Sequence, residues 1–511
     1  MTSPREIELK LEAGVHDIAA LATHPLLQAQ GGGEPETLSS TYLDTADRDL
    51  LAAGLTLRIR KTSAGYLQTV KAATESAGLF DRAEWEGPVQ GPDPDLDALA
   101  GTPAAAILAK ASSPGLEALF ATVVERTTRP VTYGASRISA TLDQGRVETG
   151  VGDVPLCELE LELLEGDASD LFGLAQALAE TAPLKLGALS KSARGFALLK
   201  GKLRKPSKAG AVALDGSASA GEAFRVIAQS CLRHLRLNED VFLHGRDAEA
   251  LHQIRVALRR LRSAFTLFKP MLAGDATATH LRSEIKRVSE PFGEARNIDV
   301  FLETTLPAEI ARRPDEASLV SLRESLEAER LRAYDTVLTI LESPSWRGLL
   351  LDLVAWIETG PWRNAAANAV RDEPARDFAA DILEKARRRI RKRGRHLDRL
   401  DAEARHRVRI EAKKLRYGAE FFASLYADRK VHKRHKAFVS ALSDLQDHLG
   451  SLNDLATAHD VVSGLIVTEA GGEALFAAGL TAADGDATAA KLLSAAAEAH
   501  EELLDVKPFW R

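Results

Sequence analysis

The chain predicts a multidomain α+β protein: a sheet curled around a charged cavity with flanking helices, then an all-α half made of two similar four-helix bundles. Three observations predict this. Short segments within the first 165 residues alternate charged and aliphatic side chains, the chain after about Gly216 reads as helix, and that helical half contains an internal repeat. At 511 residues the chain also exceeds the roughly 100–200 residues usual for one core.

The first segment is Glu6-Ile7-Glu8-Leu9-Lys10. In a strand alternate side chains share a face, so Glu6, Glu8 and Lys10 point one way while Ile7, Leu9 and Leu11 point the other. Thr56-Leu57-Arg58-Ile59-Arg60 follows, then Tyr66-Leu67-Gln68-Thr69-Val70-Lys71 after a Gly turn, then Arg82-Ala83-Glu84-Trp85-Glu86. Arg137-Ile138-Ser139-Ala140-Thr141-Leu142-Asp143 alternates again, and Cys157-Glu158-Leu159-Glu160-Leu161-Glu162-Leu163 aligns three carboxylates. A solvated face mixes Ser, Thr, Gln and Lys; these strands carry Glu clusters on some and Arg or Lys clusters on others. Their second faces are apolar enough to need cover, from helices such as the one read at Leu171 to Thr181. Paired carboxylates suit a hard divalent cation, and Arg and Lys from facing strands suit phosphate. The implied ligand is a compact polyanion with bound metal.

These residues resemble the CYTH family, the triphosphate tunnel metalloenzymes, over roughly residues 4 to 203. The Glu-x-Glu-x-Lys signature matches Glu6, Glu8 and Lys10. Thr41-Tyr42-Leu43-Asp44-Thr45 with Asp47 and Leu50, then Arg58 and Arg60, Lys71, Glu84 and Glu86, Arg126, Asp143, the Glu158/Glu160/Glu162 strand and Ser190-Lys191-Ser192-Ala193-Arg194-Gly195 fall in the family's order. The resemblance implies a closed antiparallel β-barrel tunnel that binds Mg2+ or Mn2+ and a triphosphate. It carries the metal-ligand role to Glu6, Glu8 and members of the Glu158, Glu160 and Glu162 set, all three of which share a face. Lys10, Arg58, Arg60, Lys71, Arg126 and Lys191 become phosphate contacts, with activation of water an alternative role for Lys191. Arg82 and Arg129 read as surface residues, as do His16 and His24.

The domain boundary falls in Gly201-Lys202-Leu203-Arg204-Lys205-Pro206-Ser207-Lys208-Ala209-Gly210, a basic Gly/Pro/Ser stretch. The expected organisation is a tunnel domain over 4–203, a linker over 204–215 and a helical domain over 216–506, with the first able to fold alone. In the helical half Ala, Leu, Arg and Glu dominate and Pro sits mostly at helix ends. The repeat pairs His252-Gln253-Ile254-Arg255-Val256-Ala257-Leu258-Arg259-Arg260-Leu261-Arg262 with His406-Arg407-Val408-Arg409-Ile410-Glu411-Ala412-Lys413-Lys414-Leu415-Arg416. Phe292-Gly293 and Leu449-Gly450 recur downstream at nearly the same separation. Two copies imply two similar helical units, most simply a pair of packed four-helix bundles.

At positions i, i+3, i+7 and i+10 of a helix, His252, Arg255, Arg259 and Arg262 form one stripe, and His406, Arg409, Lys413 and Arg416 its counterpart. Residues 381 to 440 hold twenty Lys and Arg against eight Asp and Glu, within a chain of net charge −7. So concentrated a field favours a polyanionic partner. These features resemble the CHAD family of helical domains over roughly residues 216 to 506. That resemblance implies binding of inorganic polyphosphate along a basic groove by both stripes together with Arg260 and Lys414. The second stripe has Lys413 and Lys414 where the first has Arg259 and Arg260.

Specific nucleic-acid binding is not expected, because aromatic residues are only 5% of the chain and none interleave with the stripes as stacking platforms. Cys157 and Cys231 lie in different predicted domains and give no disulfide framework. The N-terminus lacks a signal-like apolar core, and Asp352 breaks the apolar segment Leu349 to Ile357, so a soluble, cytoplasmic protein without a membrane span is expected. The sequence is silent on oligomeric state. The function expected is metal-dependent hydrolysis of inorganic triphosphate to pyrophosphate and phosphate, beside a polyphosphate-binding module. The alternatives are a nucleotide cyclase or an organic triphosphatase, such as a thiamine triphosphatase, on the same tunnel, and a polyphosphate-binding protein without catalysis.

Overall fold

Closure of the first sheet decides where its charges go. In the computed structural model, β1 (Arg5–Glu12), β2 (Glu36–Thr45), β3 (Leu55–Thr62), β4 (Gly65–Ala72), β5 (Leu79–Val89), β6 (Leu116–Tyr133), β7 (Ser136–Thr149) and β8 (Gly152–Glu165) pair in the order β5-β4-β3-β2-β6-β7-β8-β1. Every pairing is antiparallel, and β1 pairs again with β5, which closes an eight-stranded barrel. A short ninth strand, β9 (Lys185–Leu186), adds to β1. The structure describes residues 5–73, 76–113, 115–364, 368–426, 428–467, 472–473, 476–477 and 485–511, with backbone alone at 454–467 and 485–488.

Along each strand one set of alternate residues faces the lumen and the other packs outward. On β2 to β4 the outward set, including Leu43, Leu57, Ile59 and Val70, is buried with Leu50, Leu99, Ala104 and Leu108. These come from α3 (Asp49–Ala52), α4 (Pro103–Leu108) and the turn before α4; α1 (Val15–Ala22) and α2 (Pro25–Gln28) lie on β6 to β8. Beyond the charged zone the lumen face turns apolar, and Tyr42, Phe120, Val147, Val154 and Phe196 plug the barrel. Phe196 belongs to α6 (Lys191–Leu199), and a Cβ at Gly195 would fall 2.2 Å from the Phe120 ring, which explains the glycine of the Ser190–Gly195 motif. α5 (Ser169–Ala179), the helix read at Leu171 to Thr181, buries Leu171, Leu174 and Leu178.

The helical half comprises α7 (Ala220–Gly245), α8 (Ala248–Leu267), α9 (Ala276–Val300), α10 (Leu306–Arg312), α11 (Ser318–Glu342), α12 (Pro344–Thr359), α13 (Ala369–Asp372), α14 (Ala375–Arg393), α15 (Ala402–Phe421), α16 (Arg429–Val467) and α17 (Gly485–Asp505). α7, α8, α9 and α11 pack in succession, as do α14, α15, α16 and α17, and α8 contacts α15 while α7 contacts α14. Two similar four-helix sets thus share a core, where the Phe268 and Phe378 rings stack 4.8 Å apart. The repeat extends to the capping of both stripe helices. Asp247 accepts from the Ala250 amide at 2.8 Å and Asp401 from Ala404 at 2.6 Å, contacts worth about 1 kcal/mol each.

Two features differ from the expected organisation. The chain divides into one unit ending at Lys205 that also takes in Ser343–Gly360, and a second holding the rest. Helix α12 therefore belongs with the barrel: it contacts α5 and β9, and its Asp352 accepts from Gln176 of α5 at 2.8 Å. Its apolar pattern announces burial without saying against what. The stretch read as a linker belongs to the helical unit from Pro206 onward. No helix among the described residues is long and apolar enough to cross a membrane.

Candidate functional site

The barrel lumen contains a cavity of ≈ 210 Å³ whose lining is almost wholly charged or hydroxylated. Strand register sets the sequence of charges around it. Glu6 lies opposite Arg82 across β1–β5, while Glu8 faces Glu162 and Lys10 faces Glu160 across β1–β8. Lys71 faces Glu84 across β4–β5, Tyr42 faces Arg58 across β2–β3, and Arg126 faces Asp143 across β6–β7. Of the residues singled out from sequence, Glu6, Glu8, Lys10, Arg58, Arg60, Lys71, Arg126, Glu160, Glu162 and Lys191 all line the cavity.

Glu158 does not line it. It shares the inward face of β8 with Glu160 and Glu162 but is fully buried, where Lys10 Nζ donates to it at 3.0 Å and Lys191 Nζ also reaches it. Glu160 accepts from Lys10, from Lys191 at 2.8 Å and from Arg126 at 3.0 Å; Arg126 also donates to Asp143 at 2.7 and 2.5 Å. Three carboxylates and three cations thus form one packed network. Burial opposes the charge on Lys191, but Asp143, Glu158 and Glu160 outweigh it and raise its pKa, the opposite of what a base requires. Asp143, Glu158 and Glu160 have oxygens close enough together to share an ion. Lys10, Lys191 and Arg126 bind most of those oxygens, while Glu158 Oε2 is buried without a hydrogen-bond partner.

The outer carboxylates are arranged otherwise. Glu6 accepts from Lys71 at 2.8 Å and Arg82 at 3.0 Å, whereas Glu8 Oε1 is buried with no hydrogen-bond partner, the nearest ammonium being Lys10 Nζ at 3.3 Å. Burial and the facing charges of Glu6 and Glu8 push Glu162 up to about 7. A carboxylate crowded by carboxylates, with an unsatisfied neighbouring oxygen, is relieved by a divalent cation. Glu6, Glu8 and Glu162 are thus a second set of carboxylates that could hold a cation, beside Asp143, Glu158 and Glu160.

The opposite wall is basic. Arg58 has Glu84 and Glu86 only at 3.9 Å, and its Nε is buried without a hydrogen bond. Among the described residues Arg60 has a hydrogen bond to Ser40 Oγ at 3.4 Å and no ion pair, and burial with the neighbouring Arg58 and Arg126 pulls it down to about 10. These guanidiniums lack a close-range anion. Ser190 and Ser192 join the lining at the start of α6, where Ser190 Oγ caps the Ala193 amide at 3.1 Å. Arg82, read from sequence as a surface residue, is a lumen residue bound to Glu6; its place beside Glu84 and Glu86 on one strand face was the available signal. Arg129 lies outside the cavity with its side chain against Gly32. Asp44 is structural, accepting from the Leu50 and Leu51 amides at 2.9 and 3.0 Å, and His24 caps α2 through the Leu26 amide at 3.2 Å.

In the helical unit the two stripes face a shared space. A groove of ≈ 950 Å³ is lined by His252, Arg255, Arg259, Arg260, Arg409, Lys413 and Arg416. A neighbouring ≈ 620 Å³ space adds Arg262, His406 and Lys414 and shares Arg259, Arg409 and Lys413. Arg255 Nη1 donates to the Gly293 carbonyl at 3.0 Å, and an added Cβ at Gly450 would lie 3.9 Å from Arg409 Nη2, so each stripe arginine lies against its own repeat's glycine. Burial, reinforced by Arg259, Arg296 and Arg409, pulls Arg255 down to about 9.

Not every stripe cation is equally available. Glu420 accepts from Arg260 at 2.6 Å and Arg416 at 3.0 Å, and Arg260 stacks over Phe421; Lys414 pairs with Glu411 at 3.2 Å. Arg260 is thereby as much a cross-brace between α8 and α15 as a groove residue. His406 Nδ1 lies 3.1 Å from Asn453 Oδ1. Sequence reading missed Arg296, Arg282 and Lys286, which α9 adds to the two spaces; the recurring Phe292-Gly293 segment, three residues before Arg296, was the nearest signal.

Comparison with known proteins agrees with this division. Residues 4–196 match the CYTH domain and residues 226–463 match the CHAD domain. The crystal structure of the CHAD domain from the plant Ricinus communis is 32% identical and superposes with a TM-score of 0.52, covering 59% of this chain and 98% of that one. The chain therefore belongs to the CHAD family through its helical half, and the residues ahead of it match the CYTH domain model. An inorganic triphosphatase of Haemophilus influenzae is 30% identical over 200 residues, which are 38% of this chain and 55% of that protein's length.

Proposed function

We propose that the barrel hydrolyses inorganic triphosphate to pyrophosphate and phosphate with Mg2+ or Mn2+, and that the helical unit binds inorganic polyphosphate. The observation that carries the first reading is the polarity of one small lumen: crowded carboxylates on one side, guanidiniums without close anions on the other. Glu6, Glu8 and Glu162 would hold the ion, which when bound offsets phosphate charge and orients the chain for in-line displacement. Arg58, Arg60, Lys71 and Arg126 grip the phosphate oxygens, and positioning with electrostatic stabilisation supplies most of the catalysis in such transfers. Lys10 and Lys191 act as cations held in place by Glu158 and Glu160. The similarity to the Haemophilus influenzae triphosphatase supports the same substrate.

A nucleotide or thiamine substrate needs an aromatic or apolar base site beside the phosphates. Among the described residues the one aromatic in the lining, Tyr42, is stacked on Phe120 at 4.6 Å. The decisive measurement is phosphate release from tripolyphosphate, ATP and thiamine triphosphate with each metal in turn. Tripolyphosphate is expected to be strongly preferred; equal or better turnover of an organic triphosphate replaces this reading, and no turnover of any leaves a binding protein.

A further inference from the structure

The groove of the helical unit has a wall that lies outside both domain matches. Lys208, Ala209, Gly210 and Ala211 line it, within the stretch that composition marks as a linker. We propose that Pro206–Leu214 is a fixed wall of the polyphosphate groove and that Lys208 is one of its phosphate contacts, an inference that rests on the polyphosphate reading of that groove.

The segment is pinned at both ends. The Ser207 amide donates to Asn238 Oδ1 at 3.0 Å, and the Ser207 carbonyl accepts from Asn238 Nδ2 at 2.9 Å and His234 Nε2 at 3.0 Å. The same His234 nitrogen lies 3.0 Å from Gln253 Oε1 on the stripe helix, tying the segment to α8. At the far end the Leu214 amide donates to Ser424 Oγ at 2.9 Å, and Val212 and Leu214 are buried. Between the anchors Ala209, Gly210 and Ala211 offer almost no side chain, which keeps the groove open. Lys208 follows directly on the clamped Ser207, so its backbone is ordered before any ligand arrives and binding does not bear that entropy cost. An exposed lysine lining the same groove as Arg255, Arg259 and Arg296 is placed for a polyanion.

The test titrates the full chain with long-chain polyphosphate at several salt concentrations. Lys208→Ala is expected to weaken binding about threefold to fivefold, the upper range for an exposed ion pair. It should also make the log–log salt slope shallower by roughly 0.7–0.9, one lost phosphate contact. Lys208→Arg restores both. Lys205→Ala, on the same basic stretch but outside the groove lining, leaves the slope at its wild-type value. An unchanged slope for Lys208→Ala in a chain whose binding is abolished by stripe substitutions overturns the wall, as does an equal effect of Lys205→Ala. Failure of the wild type to bind at any salt overturns the polyphosphate reading instead.

Discussion

The barrel lumen and the helical groove both gather arginines and lysines, but they compensate them differently. In the lumen Lys10, Lys71, Arg82 and Arg126 each have a carboxylate across the next strand, Glu160, Glu84, Glu6 and Asp143, while Arg58 and Arg60 do not. In the groove Arg255 and Arg259 have no carboxylate within ion-pair distance among the described residues, and Glu420 gathers two of the other cations. A mixed lining can hold a cation and an anion side by side, as metal-assisted hydrolysis requires. A basic lining attracts a long polyanion without fixing any one bond for chemistry. On the proposed reading, this difference in charge compensation separates a reacting site from a holding site in the same chain.

The largest expected effect breaks the acidic side of the lumen. The double variant Glu6→Gln, Glu8→Gln should lower tripolyphosphate hydrolysis by more than about 10²-fold while the helical circular-dichroism signal remains. Near-normal turnover in a folded double variant would remove the lumen from catalysis. Next comes separability. A fragment ending at Lys205 lacks α12, which the structure assigns to the barrel unit, and each large apolar side chain uncovered by its removal costs about 1.5–3 kcal/mol. The fragment should therefore melt well below the barrel transition of the full chain, and a peptide of residues 343–360 should raise its midpoint; an unshifted midpoint would show that α12 is dispensable.

Neutralising Arg255, Arg259, Arg409 and Lys413 together tests the basic side of the comparison. Long-chain polyphosphate should bind roughly 10²-fold more weakly at low salt, with a slope reduced by about 3. Retained affinity and slope would mean that the stripes are only solvated helix faces.

The smallest effect concerns the framework of the groove. Burial, with Arg260 nearby, pulls His234 from 6.5 to about 4. Because the folded pKa lies below the unfolded one, the unfolded chain takes up this proton first as pH falls. The contribution is complete above about pH 6.5 and lost progressively toward pH 4, by at most about 3 kcal/mol. Denaturant midpoints of the helical transition for wild type and His234→Gln, compared between pH 7 and pH 4.5, should show a shallower pH dependence in the variant. Parallel curves would exclude His234 as the source.

Much of the site was legible because strand alternation is local. Glu6, Glu8 and Lys10 had to share a face once their segment was a strand, and the repeated stripe fixed which faces of α8 and α15 are basic. Partner choice was not legible. Glu158, Glu160 and Glu162 are equivalent in sequence, yet register leaves one walled in, one clamped by three cations and one crowded by carboxylates. Arg82 was misread because its charged face is internal only when β5 pairs with β1. Asp352, which interrupts an apolar segment, found its meaning as a hydrogen-bond acceptor for Gln176.

The sequence by itself determined the classes of element, the charged and apolar face of each strand, the repeat in the helical half and the excess of positive charge there. All of these follow from periodicities of two and 3.6 residues acting over a few neighbours. Only the tertiary structure decided that the sheet closes, which carboxylate faces which ammonium, that α12 belongs to the barrel and that residues 208–211 line the groove. Those outcomes depend on pairing between residues far apart in the chain, such as Glu6 with Arg82, 76 positions on, and Leu11 with Leu186, 175 positions on, and no local pattern encodes a register until both partners are in place.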